Sequence, residues 1–152
     1  MGDFYSVSLD KETSVRTETS DYPAGLSRGD IEFIMQHDVD VISLERIDGA
    51  KAMWKLAVSV EGAAPVQMIA DNGINEIYFQ VLILIDLDHI VEALTAISPY
   101  SVLGLSFVGE EGLFIRGAFY VDFSTMHALT NTYRVAALAY GAYEQAIKGV
   151  AD

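Results

Sequence analysis

The chain changes period once between Leu113 and Ile147, and that change limits the folds open to it. Leu113, Ile115, Phe119, Val121 and Phe123 fall on one side of an extended segment, with Arg116 and Asp122 on the other. A period of two belongs to a strand with one buried and one partly solvated face. From Met126 onward the steps become three and four, through Met126, Leu129, Tyr133, Ala136, Ala137, Tyr140 and Ile147, with Tyr143 near the edge. That is the apolar stripe of a helix. Upstream, Ser101 to Val108 puts Leu103, Leu105 and Phe107 on one face, and Gly109-Glu110-Glu111-Gly112 reads as a hairpin loop. Ser124 is the expected N-cap, because its hydroxyl can accept from a free first-turn N–H. A helix of about 24 residues is ~36 Å long, against a radius of gyration of ~15 Å for a domain of this size. The helix is therefore expected to span the whole sheet. Its small residues (Ala136, Ala137, Ala139, Gly141 and Ala142) permit close packing on that sheet or on a second chain.

The rest of the chain supplies partners for this unit. Residues 1–26 differ in character: Tyr5, Val7 and Leu9 alternate with serines, Lys11 to Asp21 is almost wholly polar, and Tyr22-Pro23-Ala24-Gly25 is a turn. They read as an extended arm, with residues 27–152 as one domain. Ser27 and Asp30 have capping-box spacing ahead of an Ile31, Ile34, Met35 stripe, which predicts a short helix to His37. Four strands are then expected: Val39 to Arg46, Ala52 to Val60, Val66 to Asp71 and Ile74 to Ile85. Asp48-Gly49 and Asn72-Gly73 mark hairpin turns, and Gly62-Ala63-Ala64-Pro65 breaks the second strand from the third. Val81 to Ile85 is apolar on both faces, which predicts a central strand or one at an interface. Asp86 or Asp88 is expected to cap a helix carrying Ile90, Val91, Leu94 and Ile97, ended by Ser98-Pro99.

Composition narrows the function classes. There is no cysteine, which excludes disulfides, thiolate catalysis and cysteine-ligated metals. The net charge of −13 would repel phosphate backbones and anionic lipid surfaces and attract basic segments. Nucleic acid and membranes are thus not expected partners. The longest apolar run, Val81 to Ile85, is far short of a bilayer span, and nothing marks a secretory leader; the cytoplasm is the expected compartment.

Motifs that carry chemistry are weak. His37, His89 and His127 lie in separate elements without a second ligand at helical spacing. Asp38 with Asp40 could share a strand face, but a calcium loop needs more oxygen ligands and a fixed glycine. There is no nucleophile elbow, phosphate-binding loop or dinucleotide fingerprint. No catalytic residue, metal site or cofactor is expected. Trp54, Tyr78, Tyr100, Phe114 and Tyr120 suit a core or a protein interface better than base stacking, which wants basic neighbours.

Together these readings predict an α+β domain. An antiparallel sheet of five to six strands carries one long C-terminal helix and one or two shorter ones. The element order, the strand-to-helix passage Tyr78-Phe79-Gln80-Val81-Leu82-Ile83-Leu84-Ile85-Asp86-Leu87-Asp88 and the closing passage from Gly112 to Ser124 resemble the type III secretion chaperone-like fold. Within it they resemble the YbjN-like family of small bacterial proteins. The resemblance implies a non-enzymatic, chaperone-like or regulatory homodimer that binds a protein client, and it supplies no catalytic residues. Self-association is expected through the C-terminal helix or the helix ending at Ile97. Leu82, Leu84, Ile90, Leu94, Tyr133 and Tyr140 are the candidate partner or dimer residues. The client would be a basic or amphipathic segment, bound by strand addition or in a groove. Two alternatives stand beside this. One is an acidic inhibitor or immunity protein of a basic partner. The other is a small-ligand binder with a cavity between sheet and helix, lined by Tyr133, Tyr140 and Phe119.

Overall fold

The computed structural model describes residues 25–49, 53–83, 87–107 and 113–151. The elements run α1 (Arg28–His37), β1 (Val41–Ile47), β2 (Met53–Val58), β3 (Val66–Asn72), β4 (Glu76–Ile83), a 3₁₀ turn (Leu87–His89), α2 (Ile90–Ile97), β5 (Gly104–Phe107), β6 (Leu113–Tyr120) and α3 (Met126–Ala151). The six strands form one antiparallel sheet in the order β1-β2-β3-β4-β6-β5. This is the expected α+β architecture. Val81 to Ile83, the described part of the apolar run, lie in the central strand β4, and Leu84 and Ile85 lie outside the described residues.

Alternation along the strands assigns the two sheet faces. Trp54, Leu56 and Val58 of β2, Ile77, Phe79 and Val81 of β4, and Leu113, Ile115 and Phe119 of β6 are buried on one face. All three helices pack there: α3 on β4 and β6, α1 on β1, and α2 against α3 and β5. α3 crosses β6 at Gly117, where an added Cβ would be in ordinary van der Waals contact, 3.4 Å from Thr132 Cγ2 and 3.9 Å from Ala136 Cβ. Phe79 packs against Tyr133 beside it, with ring centroids 5.5 Å apart. Each such large apolar side chain contributes about 1.5–3 kcal/mol through burial.

α1 begins as its sequence predicts. Ser27 Oγ accepts from the Asp30 N–H, and Asp30 accepts from the Ser27 N–H. The cap of α3 is displaced by one residue. Thr125, not Ser124, accepts from the Ala128 N–H, and Ser124 Oγ instead accepts from the Leu26 N–H at 2.9 Å. The reason lies in the turn after β6. There Phe123 adopts φ 60°, and Ser124 N–H donates to Val121 O, so Ser124 is still part of the reversal. Gly25 packs into that corner with φ 79°, where a Cβ would lie 2.3 Å from Val121 O. Gly25 and buried Leu26, read from the sequence as the end of the arm, thus belong to the domain.

α2 also corrects an expectation. Its N-cap is His89, with no side-chain cap, so Asp88 does not cap it. Ala93 and Ile97 are buried and Ile90 packs against the core, while Val91 and Leu94 face outward. Ile90 and Ile97 of the expected stripe thus face inward, and Ala93 takes the inward place expected of Val91 and Leu94 where α2 packs against α3. Residues 1–24, Asp86, the turn residue Ala50 and the loop Gly109-Glu110-Glu111-Gly112 lie outside the described residues.

One departure from a regular sheet matters for function. β2 pairs with β3 along its whole length, from Met53↔Asp71 to Val58↔Val66, and β4 pairs with β6 from Glu76↔Tyr120 to Ile83↔Leu113. The β3–β4 ladder between these pairs covers only Asn72↔Ile77 to Ile69↔Gln80. Beyond Gln80 the sheet forks, and Val66 to Met68 no longer pair with Val81 to Ile83.

Candidate functional site

Three places concentrate polar or exposed chemistry. The first is a buried anchor where α3 meets the α1–β1 junction. The Asp38 carboxylate accepts from the Tyr133 hydroxyl, from Arg134 Nη2 at 2.9 Å to each oxygen, and from the Asp40 N–H at 2.9 Å. Arg134 Nε lies 3.1 Å from Asp40 Oδ2, close enough for charge attraction but without hydrogen-bond alignment. The Asp38 side chain is only 5% exposed. Burial pushes its carboxyl up. The bonds from Tyr133 and the Asp40 amide, with the Arg134 charge, outweigh that and hold it below the ordinary carboxylate value. Burial, and then the bond to Asp38, push the Tyr133 hydroxyl well above its ordinary value. An ionised Asp38 and a protonated Tyr133 make a fixed charge-assisted bond rather than a proton relay.

A second anchor ties α1 to the sheet. Glu32 Oε1 accepts from Trp54 Nε1 at 3.0 Å and from Arg46 Nε at 2.9 Å. These bonds, the one from Trp54 foremost, hold its carboxyl below the ordinary value.

The second place is the sheet face away from the helices. Tyr78, Gln80 and Leu82 of β4 stand there opposite Ala118, Arg116 and Phe114 of β6, with Tyr120 at the end of the row. No described helix packs on this face. The Arg116 guanidinium lies over the Tyr78 ring, 4.1 Å from its centroid. Gln80 is only 5% exposed and its Oε1 has no hydrogen-bond partner; Arg116 Nε, across the ladder, has none either. Leu82 and Tyr120 are exposed.

The third place is the fork. A cleft of about 300 Å³ opens there between Ala64, Pro65, Val66 and Gln67 on one side and Val81 and Leu82 on the other, with Tyr140 and Glu144 of α3 alongside. A second cleft of about 320 Å³ continues along α3 past Gly62, Ala63, Gly141, Gln145 and Lys148, and shares Ala64 and Glu144 with the first. Tyr140 donates to Glu144 Oε2 at 3.2 Å.

The six candidate residues are thus dispersed. Leu82 and Tyr140 meet at the fork cleft. Leu94 is exposed on α2, and Ile90 packs against the core. Tyr133 is fully buried, so it anchors α3 and offers no surface to a partner. Leu84 lies outside the described residues. Between sheet and helix, Phe119 and Tyr133 are fully buried, and Tyr140 lines the surface cleft at the fork. Among the described residues no group of three or more His, Asp or Glu could hold a metal ion, and no helix is long and apolar enough to cross a membrane.

Sequence reasoning missed Arg116, Gln80 and Glu144. The one available signal was that Arg116 and Gln80 sit on the solvent-side register of otherwise apolar strands. Comparison with protein-family models, with curated proteins and with solved structures gives no match for the chain.

Proposed function

We propose that the chain is a non-enzymatic protein-binding module, chaperone-like or regulatory, that acts as a homodimer through the helix-free face of its sheet. The observation that carries this is the composition of that face. An open antiparallel face ordinarily carries polar residues, yet beside Glu76 and Gln80 the two central strands present exposed Leu82 and Tyr120 and half-buried Tyr78 and Arg116, over a buried Phe114. Aromatic residues and arginine are the types enriched in protein interfaces, where lysine and glutamate are depleted. The chain's net charge of −13 makes two copies repel at most surfaces. Arg116 stands on this face with Glu76, opposite Tyr120, and Asp71, opposite Tyr78, so the face carries charge of both signs and repels a second copy less than a wholly acidic surface would.

Sedimentation equilibrium tests the proposal. A dimer mass at micromolar concentration is expected. It should strengthen as salt screens the like charges and fall to a monomer in Tyr120→Asp, whose side chain is exposed and whose fold is checked by circular dichroism. A monomeric wild type at about 100 μM, a concentration at which any dimer tighter than ~5 kcal/mol would be populated, refutes it.

A further inference from the structure

We infer that the fork between β3 and β4, with the groove running from it along α3, binds an extended segment of another polypeptide that carries a lysine or arginine for Glu144. The inference rests on the protein-binding reading; the groove along α3 lies off the proposed dimer face, and the two meet at Leu82.

Two observations converge on the fork. First, the ladder stops at Ile69↔Gln80 although both strands continue, so Val66 to Met68 and Val81 to Ile83 have no rungs between them. Backbone N–H and C=O groups that would continue a ladder alternate with strand spacing, and an extended backbone is the ligand that matches such a row. Second, the groove is shaped for a chain. Its walls include Gly62, Ala63, Ala64 and Gly141, and a Cβ at Gly62 or Gly141 would meet nothing within 4 Å. From Tyr140 to Lys148 it follows α3 for ~12 Å, enough for about four extended residues.

Charge selects the kind of segment. Glu144 is exposed, stands where the two clefts join and is held by the Tyr140 hydroxyl. Burial, followed by the Glu144 charge and this bond, pushes the Tyr140 hydroxyl up, so it remains a donor. Lys148 lines the far end of the groove. A basic side chain at the fork end pairs with Glu144, and the net charge of −13 steers a basic segment toward it.

The test uses the full chain, labelled with ¹⁵N, and two probes. One is an eight-residue amide of alternating threonine and valine with a central lysine; the other is the same peptide with glutamate in that place. Saturable shifts are expected at the amides of Val66, Gln67, Leu82 and Glu144. The lysine peptide should bind about five-fold more tightly, the size an exposed ion pair supports. Gly141→Met fills the groove, and a helix tolerates methionine better than glycine; it should abolish the shifts while leaving the dimer mass unchanged. Glu144→Lys should reverse the peptide preference. Absence of shifts at these amides up to about 1 mM peptide, equal affinity for the two peptides, or binding that survives Gly141→Met overturns the inference. Loss of the dimer in Tyr120→Asp, by contrast, reports on the sheet face, since Tyr120 lines neither cleft.

Discussion

Removing the Asp38 carboxylate should loosen α3 from the rest of the domain, and the cost follows from its partners. In Asp38→Ala the buried Tyr133 hydroxyl loses its acceptor, while Arg134, 41% exposed at its side chain, recovers solvent in exchange. An orphaned buried donor costs about 1–3 kcal/mol, and the lost charge-assisted bond adds about 1.5–3 kcal/mol. Allowing for the rehydrated arginine, the expected loss is about 3 kcal/mol. Tyr133→Phe removes one bond and orphans nothing, because Asp38 keeps Arg134 and the Asp40 amide, so about 1.5 kcal/mol is expected. The double variant should be less destabilised than the sum by about 1–2 kcal/mol, since the orphaned hydroxyl is absent from it. Urea unfolding followed by the single tryptophan measures all three. With a slope of roughly 2 kcal/mol/M, Asp38→Ala should lower the midpoint by about 1.5 M. A loss below about 1 kcal/mol, or additivity within about 0.3 kcal/mol, refutes the anchor. Acid gives a second check on the sign. The folded-state pKa of Asp38 lies below its unfolded value. Its contribution is therefore fully present above about pH 4 and lost as pH falls through the folded pKa. The gap between wild type and Asp38→Asn should close in that acid range and stay constant from pH 5 to 7.

Other substitutions test the packing. Gly25→Ala places a Cβ against Val121 O at a positive φ and should lower stability by about 3 kcal/mol or more in thermal melts. Gly117→Ala meets only ordinary van der Waals contacts and should change stability by less than about 1 kcal/mol, whereas Gly117→Leu overpacks the α3 contact and should cost about 1–3 kcal/mol. Thr125→Ala should cost about 1 kcal/mol through the cap of α3; equal stability of wild type and Thr125→Ala by chemical denaturation would show that the cap contributes nothing. Trp54→Phe loses the bond to Glu32 and should cost about 1–2 kcal/mol, visible as a lower urea midpoint by circular dichroism.

Local pattern was enough for the elements themselves. The change from period two to steps of three and four near Ser124 placed β6 and α3, and Ser27 with Asp30 placed the start of α1. Alternation named the buried faces of β2, β4 and β6, because a strand's side chains take sides by backbone geometry alone. The apolar run that opens at Val81 marked β4 as central, as its place between β3 and β6 bears out, while its outward member Leu82 stays exposed on the helix-free face. What the pattern could not carry was any choice that depends on a distant neighbour. Ser124 and Thr125 are both competent caps, and the Leu26 N–H, 98 residues away, takes up the first. Tyr133 reads as one more residue on an apolar stripe, whether it faces a partner or the core. Its bond to Asp38, 95 residues earlier, decides for the core. Leu94 and Ala93 are adjacent on α2, and close packing against α3 selects the smaller. The fork between β3 and β4 is written in neither strand, because a ladder is a property of two strands in register; it arises only where β2 holds one and β6 holds the other.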